Sequence, residues 1–152
     1  MRLTVNGTLH ETEVAPGRIL AAFLRDDLGV TDVKIGCGEG ACGACVALVD
    51  GMAVPTCLLH LGRVDGAEVV TAAAASATPV GARLVDAIVE EGGLQCGFCT
   101  PGVVCAAVGL ATQRRAWSEP DVREALAGHL CRCTGYASLV HAVHGVLVEA
   151  AA

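Results

Sequence analysis

The sequence predicts an α+β protein: a small sheet with one helix across it, followed by a helical bundle. Three observations carry that reading. Strand-like alternation and hairpin dipeptides stop near Thr71, helical spacing takes over beyond Pro79, and each half holds its own cysteine quartet. The expected domains are residues 1–75 and 76–152, a length that suits two small units.

The elements follow in order. Leu3-Thr4-Val5 and Leu9 to Val14 flank Asn6-Gly7, a strong hairpin signal. Ile19, Leu20, Phe23, Leu24 and Leu28 recur at helical spacing, and Gly29 is the expected stop. Beyond a Gly/Cys-rich loop, Val46 to Val49 and Met52 to Val54 enclose Asp50-Gly51, a second hairpin, and Ala67 to Thr71 reads as a further strand. Ala72 to Pro79 is small, uncharged and ends in a breaker, so a linker is expected there.

Four helices are predicted in the second half. Ala82 to Glu91 ends at Gly92-Gly93, and Pro101 to Ala111 has Thr100 as its expected N-cap. Ser118-Glu119-Pro120-Asp121 has a capping-box shape and opens a helix to about Ala127. Ser138 is the expected cap of the last, whose Leu139, Val140, Val143, Val146 and Leu147 share a face.

Composition narrows function. The net charge is −6 with no block of Lys or Arg, which excludes a nucleic-acid partner. Apolar runs are broken well short of a membrane span. Met1 to Gly7 runs directly into a strand pattern, leaving no room for a leader, so a cytoplasmic protein is expected. Only 3% of residues are aromatic, so the core rests on small aliphatic side chains and a staple is expected. In a reducing compartment, nine cysteines point to metal rather than disulfides.

Spacing sharpens that inference. Cys37-x4-Cys42-x2-Cys45 with a distant Cys57 is the plant-type 2Fe–2S ligand pattern. Its loop is rich in glycine, which lets the backbone take positive φ and aim successive N–H groups at an anionic cluster. The second quartet, Cys96-x2-Cys99 and Cys131-x-Cys133, also suits a 2Fe–2S core, two thiolates to each iron. Spacing alone leaves a tetrathiolate zinc site open as its competitor.

With these residues in view, Val33 to Cys45, Gln95-Cys96-Gly97-Phe98-Cys99-Thr100-Pro101-Gly102 and Leu130-Cys131-Arg132-Cys133-Thr134-Gly135-Tyr136 resemble the iron–sulfur subunit of molybdenum hydroxylases, the xanthine oxidase family. The resemblance spans nearly the whole chain in the expected order. It implies a ferredoxin-like β-grasp domain followed by a four-helix domain, each holding one 2Fe–2S cluster. It also implies a large partner subunit carrying molybdopterin and the substrate pocket, and a medium subunit that usually carries FAD. No catalytic residue is expected on this chain. Electrons would run from molybdenum through the Cys96/Cys99/Cys131/Cys133 cluster to the Cys37/Cys42/Cys45/Cys57 cluster, then to flavin or an external acceptor. By the same resemblance Gln95 hydrogen-bonds the pterin and Cys133 lies beside it. Cys105 stands where the family often has Met and His129 where Asn is common, while Pro55 should sit at a strand end.

Plainer roles are expected elsewhere. Cys105 reads as a buried apolar thiol and Trp117 as a packing anchor. His141 and His144 share a helix but have no helical neighbour to complete a metal site. Three function classes are weighed: an electron-transfer subunit of a molybdenum hydroxylase, a free ferredoxin-like shuttle, and a zinc-stapled interaction protein. A buried second cluster is expected to argue against the shuttle.

Overall fold

A computed structural model describes residues 1–151. Five strands, β1 (Arg2–Val5), β2 (Thr8–Glu11), β3 (Val46–Val49), β4 (Met52–Pro55) and β5 (Glu68–Val70), form one mixed sheet in the order β2-β1-β5-β3-β4. β1 and β5 are parallel, and the other pairs are antiparallel. Both predicted hairpins form. Asn6-Gly7 and Asp50-Gly51 take left-handed φ values of 50°/80° and 48°/80°, the geometry a two-residue type I′ turn demands. Pro55 ends β4, where its missing N–H costs no ladder bond.

The first predicted helix is realised differently. A single α-turn, α1 (Leu20–Ala22), widens into a π-helix over Phe23–Asp27, closed by the Leu28 N–H on the Phe23 carbonyl. The wider turn leaves Leu20, Ala21, Phe23 and Leu24 all buried against the sheet, while Asp26 and Asp27 face Arg18 at the surface.

The predicted linker is not a linker. Ala72–Ser76 forms a short helix, α2, and Pro79 is the first residue of α3 (Pro79–Glu90). Alanine has the highest helix propensity, and the start of α2 is tied down from far away. The Asp32 carboxylate accepts from the Ala73 N–H (2.8 Å) and the Thr71 hydroxyl (2.7 Å), while Asn6 exchanges two hydrogen bonds with Thr71. Sequence composition shows none of those partners.

The four predicted helices stand as α3, α4 (Thr100–Ala111), α5 (Glu119–Ala125) and α6 (Ala137–Ala151). The Ser118/Asp121 capping box forms as predicted. Two caps differ. Thr100 is already helical, with Cys99 at the N-cap position, and Ser138 lies inside α6, which starts one residue earlier. Thr100 makes no capping bond: Pro101 stands in the first turn of α4, and the Val140 N–H on the Tyr136 carbonyl closes the first turn of α6.

Two hydrophobic clusters share β3. Ala47 and Val49 pack with α1, Leu3, Val5 and Val69, whereas Val46 and Leu48 pack into the helical core with α4 and α6. A strand buried on both faces joins the halves into one body, with Gly109 of α4 set directly over Leu48. Burial on this scale is the main stabilising contribution, since a buried Val or Leu gives about 1.5–3 kcal/mol.

Candidate metal centres

The first site is built by the loop between α1 and β3. Gly38, Gly40 and Gly43 all hold positive φ, as the sequence predicts, and the chain coils around its own thiols. Cys37 lies exposed, Cys42 half-buried, and Cys45 and Cys57 buried. The Glu39 N–H points at the Cys37 sulfur (3.4 Å), and this bond, with help from Cys42 and Ala41, lowers the Cys37 pKa to about 7 against the opposing effect of burial. Burial, followed by the neighbouring Cys45 thiol, pushes Cys57 up to about 11. Thr56 fixes the entry to Cys57 by donating its buried hydroxyl to the Cys45 carbonyl (2.8 Å).

The second site joins the N-terminal end of α4 to the turn before α6. Cys96 and Cys133 are exposed, Cys131 is half-buried and Cys99 is buried. The Phe98 N–H, then the Cys133 thiol, lowers the Cys96 pKa, and Cys96 in return raises Cys133. Burial and the adjacent Cys131 raise Cys99 to about 11. Burial opposes ionisation of Cys131, but hydrogen bonds from Thr134, Cys133 and Cys99 outweigh it, and its pKa falls below the ordinary thiol value.

The structure therefore brings each predicted quartet together. Cys42 acts on Cys37, and Cys45 and Cys37 act on Cys57; in the second set Cys96 and Cys133 act on each other, and Cys131 and Cys96 act on Cys99. Four thiols within mutual reach repel when ionised, and a cationic centre among them removes that repulsion. This donor chemistry, with N–H groups turned to the sulfurs, fits a 2Fe–2S cluster at each site. Among the described residues, no three His, Cys, Asp or Glu side chains are set for a single metal ion.

The two sites also touch. The Leu130 N–H donates to the Cys42 carbonyl (2.9 Å), one residue before Cys131. A β-carbon at position 43 would stand 2.5 Å from the Gly128 carbonyl oxygen and 2.8 Å from the His129 ring, so only glycine permits this approach. Position 102 is equally closed, by the Gly43 carbonyl. His129, only a sequence oddity before, fills the seam, with neither ring nitrogen partnered and burial lowering its pKa.

Cys105 is fully buried in α4 and pushed up to about 12 by that burial, and Trp117 is buried in the helical core. His141 meets Glu91 at 3.1 Å rather than His144, a partner fifty residues away that helical spacing could not reveal. Gln95 is exposed beside Cys96. In the second set Cys99 is buried and Cys131 half-buried, as expected, whereas Cys96 and Cys133 are exposed on this chain.

A fold of this kind carrying two such thiol sets defines a tandem iron–sulfur protein. Residues 3–74 match the family model described as a 2Fe–2S iron–sulfur cluster binding domain, and residues 71–144 match that of a 2Fe–2S binding domain. The nicotinate dehydrogenase small FeS subunit of Eubacterium barkeri is 35% identical, over 98% of this chain and 94% of its own. The xanthine dehydrogenase iron–sulfur-binding subunit of Escherichia coli O157:H7 is 37% identical, over 92% of this chain and 89% of its own. The crystal structure of quinoline 2-oxidoreductase from Pseudomonas putida 86 superposes with a TM-score of 0.89 at 37% identity, covering 99% of this chain and 95% of that one. The chain belongs to the family of iron–sulfur small subunits of molybdenum hydroxylases of the xanthine dehydrogenase type.

Proposed function

We propose that this chain is the electron-transfer subunit of a multi-subunit molybdenum hydroxylase or dehydrogenase, with Cys37, Cys42, Cys45 and Cys57 holding one 2Fe–2S cluster and Cys96, Cys99, Cys131 and Cys133 the other. A 2Fe–2S cluster supplies a one-electron acceptor and donor. The observation that carries the reading is the Leu130–Cys42 hydrogen bond, which sets the inner edges of the two thiol sets against each other. Cys37 of the first set and Cys96 with Cys133 of the second are exposed and available to partners. Electrons then enter from a molybdopterin centre on a large subunit at the second site, where Gln95 and Cys133 contact the pterin. They leave by the first site, to FAD on a medium subunit or to an external acceptor.

The surface supports a partner-bound life over a free shuttle. Of nine exposed large apolar side chains among the described residues, Ile35, Leu58, Leu94, Phe98 and Leu130 each lie within two residues of a motif cysteine. An apolar rim around redox groups suits a permanent interface that excludes water. No described helix is long and apolar enough to cross a membrane, and we place the complex in the cytoplasm. The domain division proposed is 1–75 and 76–152.

Rapid-freeze paramagnetic resonance of the assembled complex tests the order. With Cys42→Ser, molybdenum remains reducible by substrate while transfer onward to flavin fails. With Cys99→Ser, the intact first cluster stays oxidised when substrate is added. Its normal reduction there would overturn the order.

A further inference from the structure

We infer that Thr134 is a positioning residue that sets the reduction potential of the second site through a hydrogen bond from its hydroxyl to the Cys131 sulfur. The inference rests on Cys131 being a cluster ligand, as proposed above.

The geometry allows one arrangement. The Thr134 Oγ1 and Cys131 Sγ are 3.2 Å apart, and the same oxygen accepts the Tyr136 N–H at 3.3 Å. A thiolate bound to iron has no proton to give. The Thr134 hydroxyl is therefore the donor, and the Tyr136 N–H on its oxygen leaves its own proton turned to sulfur. The strap is held from the other side as well. Tyr136 takes φ +71°, a left-handed conformation uncommon for an aromatic residue, and its phenol oxygen accepts the Cys131 N–H at 2.8 Å. Two residues thus grip Cys131 by its sulfur and its backbone. The first site has no counterpart: its threonine, Thr56, spends its proton on the Cys45 carbonyl, and Cys37 receives a backbone N–H instead.

The consequence is electrostatic. Reduction adds one electron and breaks no bond, and the proton stays on Thr134 Oγ1. The added charge falls partly on the sulfurs, so a donated hydrogen bond stabilises the reduced form more than the oxidised one. Losing the bond lowers the potential of the second site and leaves the first unchanged.

The test is a redox titration of the cluster-loaded full-length chain, followed by paramagnetic resonance. The signals are assigned with Cys42→Ser and Cys99→Ser. Thr134→Val keeps the shape and removes the hydroxyl. It should shift the oxidised/reduced ratio of the second cluster about tenfold toward oxidised, which is about 59 mV downward for a one-electron couple. Thr134→Ser should restore the original value. A second-site potential unmoved in Thr134→Val, or lowered equally in Thr134→Ser, overturns the inference. If Thr134→Val fails to hold the cluster, the same comparison is made with Thr134→Ala. Iron content of Cys131→Ser keeps the two readings apart. Two irons lost there with an unmoved Thr134→Val potential sinks this inference alone, whereas no iron lost sinks the ligand assignment beneath it.

Discussion

The two cysteine sites reach the same donor set by different routes. The first takes three thiols from a nine-residue loop and the fourth from just beyond the next hairpin, and its glycines do the shaping. The second takes two thiols from the approach to α4 and two from the turn before α6, so its assembly depends on how the helices pack. A site written into one loop is legible as a spacing and tolerant of changes elsewhere. A site assembled by tertiary packing is less specific as a pattern and is coupled to the stability of its half.

That contrast predicts unequal responses to ligand loss. Cys131→Ser should abolish the second cluster and loosen α3 to α6, because little large side-chain volume compensates there. Cys42→Ser should cost the first cluster while the sheet persists on its own apolar cluster. Iron analysis with circular dichroism of both variants measures this, and equal loss of helicity in the two would erase the distinction.

A smaller effect should cross the seam. Gly102→Ala places a β-carbon against the Gly43 carbonyl, and the overpacking should cost about 1–3 kcal/mol. Although position 102 lies in the helical half, the first cluster's resonance should change. An unaltered first-site spectrum would show that the two sites are independent.

Cys105→Ser should be milder. Both clusters stay, since this thiol belongs to neither quartet, and a buried hydroxyl that bonds back to its own helix costs about 1 kcal/mol. Loss of iron in that variant would break the assignment of eight ligands.

The smallest effect is a pH dependence of the α3–α6 contact. Glu91 raises the His141 pKa, so the protonated pair's contribution is full below the ordinary imidazole value of about 6.5 and fades as pH rises through the raised folded value. His141→Ala should flatten that part of the stability profile. The pair is exposed, so the difference is small.

How much was readable in advance follows the same line. Asn6-Gly7, Asp50-Gly51 and Ser118/Asp121 act through neighbours in sequence, and each formed as read. The cysteine spacings propose two quartets because ligand sets leave fixed offsets. What escaped depends on distant partners: Asp32 on Ala73 turned a linker into a helix, and Leu130 on Cys42 joined the sites. The apolar spacing reads as an ordinary helix, yet Phe23–Asp27 is a π-helix in which both Phe23 and Leu24 are buried. The caps at Thr100 and Ser138 lie one residue inside helices that start at Thr100 and Ala137, a difference within the usual uncertainty of a helix end.

Metal and sulfide analysis of the anaerobically purified chain tests the central claim most directly. Two 2Fe–2S clusters on eight thiolates require about four irons and about four acid-labile sulfides per chain, with visible absorption to match. One or two zinc ions with negligible iron and a colourless protein would contradict it.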